Sequence, residues 1–338
     1  MIHVLDRFAA RAEALDALRE LHRFRYRPGA EKRGMQLVGE WLAPAAARGR
    51  DAVEWQLLWG LPDLAAWWGM RAQASVDPEV VAFWRDADRH LESRSRRMLV
   101  PPGAEPQEPP RRPRLEPQAP LRRVTAQLAL AAGAGPGERA RIEALASSLL
   151  RRAQGCLRAE IGANLPGTLR GGDFTLDLVF DGAEPAARWC DAACDERGAR
   201  EAFAGLVARI DAVHYAPFDA GEGAPGLASP VKRTLLLRVE PEAPVERVAR
   251  FERELAAMPD HVLAIRNWHL ARVHDPRGRF SHVWAQEFAR LEGLEVDYMV
   301  HPYHWAYVDR WFDPESSERV VEPDFAHVYC TLPRSVLG

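Results

Sequence analysis

Residues 231–239 read VKRTLLLRV, and this stretch, flanked by Pro230 and Pro241, decides the fold. Its apolar, β-favouring residues predict a strand. Residues 243–258 (APVERVARFERELAAM) then place apolar side chains at helical spacing. We expect a hairpin over 261–288 with the turn signal DPRG at 275–278, a helix around 293–311 and a strand at 324–332. This order of elements predicts an α+β unit: a four-stranded antiparallel sheet with both helices on one face.

The same order of elements is expected in residues 121–220 and, more loosely, in residues 1–100. In the first segment we predict one long helical stretch from Leu64 to Met98. Residues 101–120 (PPGAEPQEPPRRPRLEPQAP) are too proline-rich for helix or sheet and predict a stiff, partly extended spacer. The chain is therefore predicted to contain units at 1–100, 121–220 and 231–338, with a proline-rich linker at 101–120.

Each such sheet has a bare face that must be covered, because strands such as TLLLRV are apolar on both sides. Packing two sheets face to face covers both of them. Three units cannot all pair within one chain. We expect two units to pair internally and the third to pair with a second copy of the chain, in a homodimer.

Composition narrows the function classes. The chain has 338 residues, 47% hydrophobic, with a formal net charge of −3, which is typical of a folded protein and atypical of a dedicated nucleic-acid binder. Apolar runs fall short of the roughly 18 residues that span a bilayer. Four cysteines indicate reduced thiols in a cytoplasm. A phosphate-binding Gly-rich loop, a GxSxG elbow and an HExxH motif are all absent from the sequence.

The stretch with most chemical content is EVDYMVHPYHWAYVDRWFD at 295–313. Pro302 favours a helix start, which places His301 and His304 near a helix N-terminus and Tyr298 just before it. The partial positive charge there favours neutral imidazole, the form that a general base requires. The alternative is that both are helix-start histidines without chemistry.

Metal binding is weakly indicated. His301 and His304 with Asp309 have a spacing that permits shared ligation, but a third ligand is not apparent in the sequence. Cys190 and Cys194 lie four residues apart without a CxxC or histidine partner, so we interpret them as small buried hydrophobes. We therefore predict neither a metal nor a cofactor.

At residues 231–332 the sequence resembles the stress-responsive dimeric α/β-barrel (Dabb) family, whose ferredoxin-like units pair into barrels. The resemblance is concentrated in DYMVHPYHWAYVD and is similar to the plant polyketide cyclases of that family. It implies that Tyr298 and His304 form a catalytic acid–base pair and that His282 is a pocket residue. Arg233 stands where a histidine is common, and Trp284 and Trp305 are bulkier than their counterparts.

The N-terminal segment resembles NIPSNAP-type domains, which have a related fold. The residues that carry this resemblance are MIHVLDRF (1–8) and LPDLAAWWGMRAQASVDPEVVAFW (61–84). The middle segment keeps only the pattern of elements, so we interpret it as a degenerate ferredoxin-like unit.

Strand alternation groups the remaining polar residues of the third unit. Arg233 shares a face with Leu235 and Leu237, His282 with Trp284 and Gln286, and His327 with Phe325 and Tyr329. Such faces favour a lined cavity. We predict Tyr298 and His304 as catalytic, and the substrate-binding residues are predicted to be His282, Trp284, His301 and Arg233. His282 has the alternative role of a hydrogen-bonded structural histidine.

These residues predict a cofactor-independent lyase, cyclase or isomerase that acts on a hydrophobic, polyketide-like or aromatic carbonyl compound. A non-catalytic small-molecule-binding or assembly protein is the alternative from another class. A haem-binding barrel is a further alternative, since other dimeric α/β barrels bind haem through a histidine. We expect a homodimer with neither nucleic acid nor membrane as a partner.

Overall fold

The computed structural model describes residues 1–43, 52–103, 108–116, 118–133, 136–274 and 278–338. These residues form two compact units. The first contains Met1–Glu108, Pro244–Phe251 and Val300–Pro323, and the second contains Pro109–Ala243, Glu252–Met299 and Asp324–Gly338. The division into three consecutive units at 1–100, 121–220 and 231–338 stays a prediction.

The first unit is built on a four-stranded antiparallel sheet in the order β2-β3-β1-β4. Its strands are β1 (Ile2–Arg11), β2 (Gln36–Ala43), β3 (Ala52–Leu61) and β4 (Leu91–Leu99). Its helices are α1 (Ala12–Leu21), α2 (Arg27–Lys32), α3 (Leu64–Val76) and α4 (Pro78–Ala87), with a π-helical turn at His22–Tyr26.

Alternation along β1 fixes which face of this sheet is covered. Val4, Asp6 and Phe8 point to one side and are buried, as the two-residue period of a strand requires. The helices α3 and α4 start at aspartate caps: Asp63 Oδ1 accepts from the Ala66 amide, and Asp77 Oδ1 accepts from the Glu79 amide.

The expectation of one helical stretch from Leu64 to Met98 is wrong at its end, because Leu91–Leu99 is the strand β4. In its sequence, LESRSRRML, the arginines obscure the alternation of apolar and polar residues that identifies a strand. Arg96 points inward, and its charge is compensated by the Asp6 carboxylate, which accepts hydrogen bonds of 2.7 Å and 2.8 Å from Nε and Nη2. A buried arginine in a strand is recognisable only from its partner.

The second unit is built on an eight-stranded antiparallel sheet in the order β12-β9-β11-β10-β8-β5-β7-β6. Its strands are β5 (Arg122–Leu130), β6 (Cys156–Ala163), β7 (Phe174–Phe180), β8 (Val207–Glu222), β9 (Val231–Leu237), β10 (Asn267–Val273), β11 (His282–Phe288) and β12 (Ala326–Thr331). Its helices are α5 (Arg139–Arg152), α6 (Ala183–Cys194) and α7 (Glu196–Ala202), together with the second half of α8 (Val245–His261).

This sheet closes on itself. Isolated bridges join Asn164 to Cys330 and Leu169 to His327, which connects the β6 edge to the β12 edge. Strands from residues 121–220 and from residues 231–338 thus share one closed sheet, and β8 pairs with both β5 and β10. The predicted fold class, α+β with ferredoxin-like units of the α/β-barrel type, is confirmed.

Two further expectations concern connecting segments. Of the DPRG turn at 275–278, residues 275–277 lie outside the described residues, while the hairpin strands β10 and β11 pair as predicted. The helix expected around 293–311 is interrupted, with π-helical turns at Gly293–Tyr298 and Tyr303–Val308 and a 3₁₀ turn at Asp309–Trp311.

The proline-rich segment forms neither helix nor strand in its described part. Its C-terminal half is attached to the second unit. The guanidinium groups of Arg112 and Arg114 lie 4.7 Å and 4.9 Å from the ring centre of Trp268. Arg114 also pairs with Asp219 and Asp260. This half of the segment is therefore bound to the surface of the second unit. In the part of the chain that the structure describes, no helix is both long and apolar enough to cross a bilayer.

Candidate active site around Arg233

Arg233 lies at the centre of a polar cluster on the helix-facing side of the second unit's sheet. On β9, Lys232 and Thr234 point into the barrel, whereas Arg233 points the other way. The strand register places Gln286 of β11 on one side of Arg233 and Tyr329 of β12 on the other. The faces grouped by sequence alternation therefore meet in the folded sheet.

Two short hydrogen bonds fix the guanidinium. Arg233 Nε donates to His327 Nε2 at 2.6 Å, and Arg233 Nη1 donates to Gln286 Oε1 at 2.6 Å. Because arginine has only donors, His327 must present a lone pair at Nε2 and is neutral in this arrangement. Burial lowers the pKa of Arg233, yet a guanidinium keeps its proton in proteins. The cluster thus holds a buried positive charge with neutral neighbours.

Tyr298 covers this charge. The Arg233 guanidinium carbon lies 5.1 Å from the Tyr298 ring centre, within the range of a cation–π contact. Tyr298 is buried, and its ring meets Phe288 edge to face at 5.7 Å. A cation beside a phenol stabilises negative charge that develops on, or next to, the phenol oxygen. The arrangement is suited to binding an oxyanion.

His282, predicted to bind substrate, is held at both ring nitrogens. Its Nε2 lies 3.0 Å from Glu252 Oε1, and its Nδ1 lies 2.8 Å from Ser281 Oγ. Burial alone would raise the pKa of Glu252, but hydrogen bonds from His282 and Arg272 outweigh it and lower the pKa to about 2. This geometry favours the structural role for His282.

Trp284 lies on the same face as His282 and is fully buried. Within the described part of the chain its indole nitrogen has no hydrogen-bond partner. Trp284 is therefore a core residue, and its register partners are Leu235 on β9 and Leu270 on β10.

His301 and His304 lie in the first unit. Pro302 adopts φ −57° and precedes the turn Tyr303–Val308. His301 Nδ1 accepts a hydrogen bond of 3.1 Å from the Tyr303 amide, which is a capping contact. The His304 ring lies 5.4 Å from the Trp68 ring at an angle of 33°.

The structure thus brings Arg233 and Tyr298 together in the second unit. His282 and Trp284 lie on the same face of the sheet as Arg233. His304 belongs to the first unit. The pairing of Tyr298 with His304 stays a prediction. The predicted site omitted His327 and Gln286, although their strand faces were identified. Register between strands, which alternation alone does not supply, is what places both beside Arg233.

The sequence prediction also missed His22 in the first unit, which is buried among aromatic rings. Burial lowers its pKa to about 3. It lines a cleft of about 500 Å³ together with Trp55, Leu57 and several charged residues of α1. Its sequence context, HRFRY, carried no signal beyond helix periodicity.

The described ranges contain no group of three or more His, Cys, Asp or Glu side chains arranged to hold a metal ion. Burial raises the pKa of the Cys190 thiol, which disfavours the thiolate that metal binding requires. The interpretation of both cysteines as buried is wrong for Cys194, which is exposed.

The closed antiparallel sheet, with its helices on the outer face, defines the second unit as an α/β barrel of ferredoxin-like units. Residues 231–325 match the model of the stress responsive A/B barrel domain.

The solved structures to which the chain is similar include an anthrone oxidase-like protein, 12% identical, covering 65% of this chain and 94% of its own, with a TM-score of 0.48. A chlorite dismutase variant from Candidatus Nitrospira defluvii is 12% identical over 62% of this chain and 91% of its own, with a TM-score of 0.42. The N-terminal part is similar to a NIPSNAP domain protein from Burkholderia xenovorans, 18% identical over 32% of this chain and 100% of its own, with a TM-score of 0.26. No protein of curated function matches the chain significantly.

Proposed function

We propose that the protein is a cofactor-independent lyase, cyclase or isomerase that acts on a hydrophobic carbonyl compound by acid–base catalysis. The observation that supports this proposal is the buried Arg233 guanidinium, held by His327 and Gln286 and covered by the Tyr298 ring. A fixed cation in a dry site is the element that an enolate-forming enzyme needs, since it stabilises charge only as that charge develops.

In this mechanism, His304 removes a proton from the carbon next to the carbonyl. The C–H electron pair moves into a carbon–carbon double bond, and the carbonyl electrons move onto oxygen. The Tyr298 hydroxyl donates a hydrogen bond to that oxygen, and the positive charge of Arg233 lies behind the phenol. Protonated His304 then returns the proton to the carbon skeleton, so the protein regains its initial state without a redox partner.

Exchange of carbon-bound hydrogen tests the first step without knowledge of the natural substrate. The probe is 1-phenyl-1,3-butanedione in D₂O, followed by NMR. We expect the protein to accelerate exchange, and His304→Ala and Tyr298→Phe to reduce it by about a hundredfold, with unchanged circular dichroism. His90→Ala, which alters a half-exposed histidine of the first unit, is the matched control. Exchange at the buffer rate, or full activity in both site variants, would refute the proposal.

Small-molecule binding without catalysis is a second candidate. It is favoured by a cavity of about 90 Å³ in the second unit, lined by residues of the 115–123 segment, by β8 and by His269. Mass spectrometry of material released on denaturation distinguishes the two: a stoichiometric compound that lacks an exchangeable α-hydrogen supports binding alone. The absorption spectrum of the same sample tests haem through its Soret band.

We also propose a cytoplasmic homodimer that has neither nucleic acid nor membrane as its partner. All four cysteines are free thiols, as a reducing compartment favours. One face of the first unit's sheet packs against the helices. On the other face, Val38, Trp41 and Leu99 are between 40% and 54% exposed. We propose that the same face of a second copy of the chain covers these three residues.

A further inference from the structure

Ser335, Val336 and Leu337 follow the last strand and lie inside the barrel of the second unit. Their exposed fractions are 6%, 3% and 1%. The Val336 and Leu337 side chains belong to a buried cluster with Tyr215, Leu236 and other interior residues. The three residues belong to no strand, so their peptide groups must be satisfied in another way.

Glu287 on β11 supplies most of the acceptors. Its Oε1 accepts from the Val336 amide at 2.7 Å and from the Leu337 amide at 3.2 Å. Its Oε2 accepts from the Ser335 hydroxyl at 2.6 Å and from Asn267 Nδ2 at 2.8 Å. Glu287 is fully buried, and all four donors are neutral.

Donors from other strands hold the carbonyl groups of the same three residues. Arg158 Nη2 donates to the Ser335 carbonyl, and Arg123 Nη1 donates to the Val336 carbonyl at 2.5 Å. The Leu337 backbone forms a hydrogen bond with His269. Side chains of the barrel therefore bind the Val336 and Leu337 amides and the carbonyls of this short segment, while the Ser335 amide donates to the Leu227 carbonyl at 2.9 Å.

Side chains that bind the main-chain amides and carbonyls of a segment outside any strand or helix are one way in which a protein can bind an extended peptide. The arrangement also has a large energetic consequence. A buried carboxylate is costly unless it is well hydrogen-bonded, and three of the four donors to Glu287 come from the segment itself. Without the segment, the charged side chains of Glu287, Arg123 and Arg158 would lose the hydrogen-bond partners that the segment supplies.

Two cavities adjoin the segment. The cavity of about 90 Å³ shares Arg123 and His269 with it. A smaller one of about 10 Å³ is lined by Arg123, Arg158 and Tyr215 and by Val336 and Leu337 themselves. Both lie on the interior side of the sheet, opposite the face that carries Arg233 and Gln286.

We propose that the barrel interior is a peptide-binding site that residues 335–337 occupy as an internal ligand. When this segment leaves, the site takes an extended peptide with a hydroxyl residue followed by two apolar residues. Glu287 binds two successive amides, and Arg123 and Arg158 bind the carbonyls. This site is separate from the proposed acid–base site and does not depend on it.

The test opens the site in the intact chain. Val336→Pro removes one amide that Glu287 binds, and a chain ending at Arg334 removes the whole segment. We expect acetyl-Ser-Val-Leu-Gly-amide to bind both variants at least about tenfold more tightly than it binds the unaltered protein, as measured by calorimetry. Acetyl-Ser-Pro-Leu-Gly-amide, which lacks the same amide, is the matched control and should bind none of them.

Hydrogen exchange provides a second readout. Glu287→Gln should speed exchange of the Val336 and Leu337 amides by about tenfold or more, while Glu254→Gln, a buried glutamate outside the cluster, should not. The proposal is overturned if the two opened variants bind the peptide no more tightly than the unaltered protein does, or if no form of the protein binds it. It is also overturned if both opened variants unfold, because residues 335–337 are then a structural part of the barrel.

Discussion

Lys232 on β9 and Asp177 on β7 form an ion pair inside the barrel, with Nζ 2.7 Å from Oδ1 and 2.8 Å from Oδ2. The lysine is fully buried, and Thr234 accepts a third hydrogen bond from its ammonium group. The pair joins the part of the barrel built from residues 121–220 to the part built from residues 231–338. It is therefore one of the contacts that join the two halves of the closed sheet.

Removal of one partner should be much worse than removal of both. Lys232→Met leaves the Asp177 carboxylate buried without its cation, and we expect a loss of roughly 3–5 kcal/mol in the free energy of unfolding. The double variant Lys232→Met/Asp177→Leu should recover most of that loss. Urea unfolding followed by circular dichroism measures both. Lys32→Met, at an exposed lysine, should change little. A double variant as unstable as the single one would contradict this account.

His22 should make the first unit acid-labile in a defined window. Burial lowers its pKa from 6.5 to about 3 in the folded protein, so between these values the unfolded chain binds a proton that the folded chain does not. Its contribution to stability is complete above pH 6.5 and is lost as the pH falls towards 3, by up to roughly 3–5 kcal/mol.

The variant His22→Phe removes the titrating group and should flatten the dependence of stability on pH between 6.5 and 3. Phe83→Leu, which alters a neighbouring ring 6.1 Å away, is the control. It should lower stability by the same amount at every pH, because neither side chain titrates. An unchanged pH slope in His22→Phe would show that other groups cause the acid lability.

The charge of Arg233 should matter more for the proposed reaction than for folding. Arg233→Gln removes the cation beside Tyr298, and we expect exchange of the diketone probe to fall by about 10²–10³-fold. Arg233→Lys keeps the charge but cannot reproduce the two fixed hydrogen bonds to His327 and Gln286, so it should rescue only part of the rate. Arg290→Gln, at an exposed arginine, is the control. Equal rates in Arg233→Gln and the unaltered protein would remove Arg233 from the mechanism.

The open face of the first sheet should carry the proposed dimer contact. Glu40 accepts a hydrogen bond from the Trp55 indole on the helix side, so Trp41, the next residue, points to the opposite side and is 53% exposed. Trp41→Glu places a charge there and should convert a dimer to a monomer in size-exclusion chromatography with light scattering. Val76→Glu, at an exposed apolar residue at the end of α3, should leave the mass unchanged. A monomeric unaltered protein would refute the dimer.

Periodicity in the sequence determined the identity of most elements, because a strand repeats every two residues and a helix every 3.6. It was sufficient for the opening strand at Val231, for α8 and for the hairpin β10–β11. It failed where polar residues face inward. The strand β4 was missed because Arg96 occupies a buried position that its ion pairs with the Asp6 and Glu315 carboxylates make tolerable.

The fold class, the faces on which Arg233, His282 and His327 lie, and the local turn that begins at Pro302 can all be read from the amino-acid sequence. Folding alone brings His327 and Gln286 to Arg233 and Lys232 to Asp177, and it places residues 335–337 inside the barrel. The two groups of features differ in the sequence separation of the residues involved. Periodicity records which side of its own element a residue faces, whereas these contacts join residues between 48 and 213 positions apart, and register and barrel closure alone fix such distances.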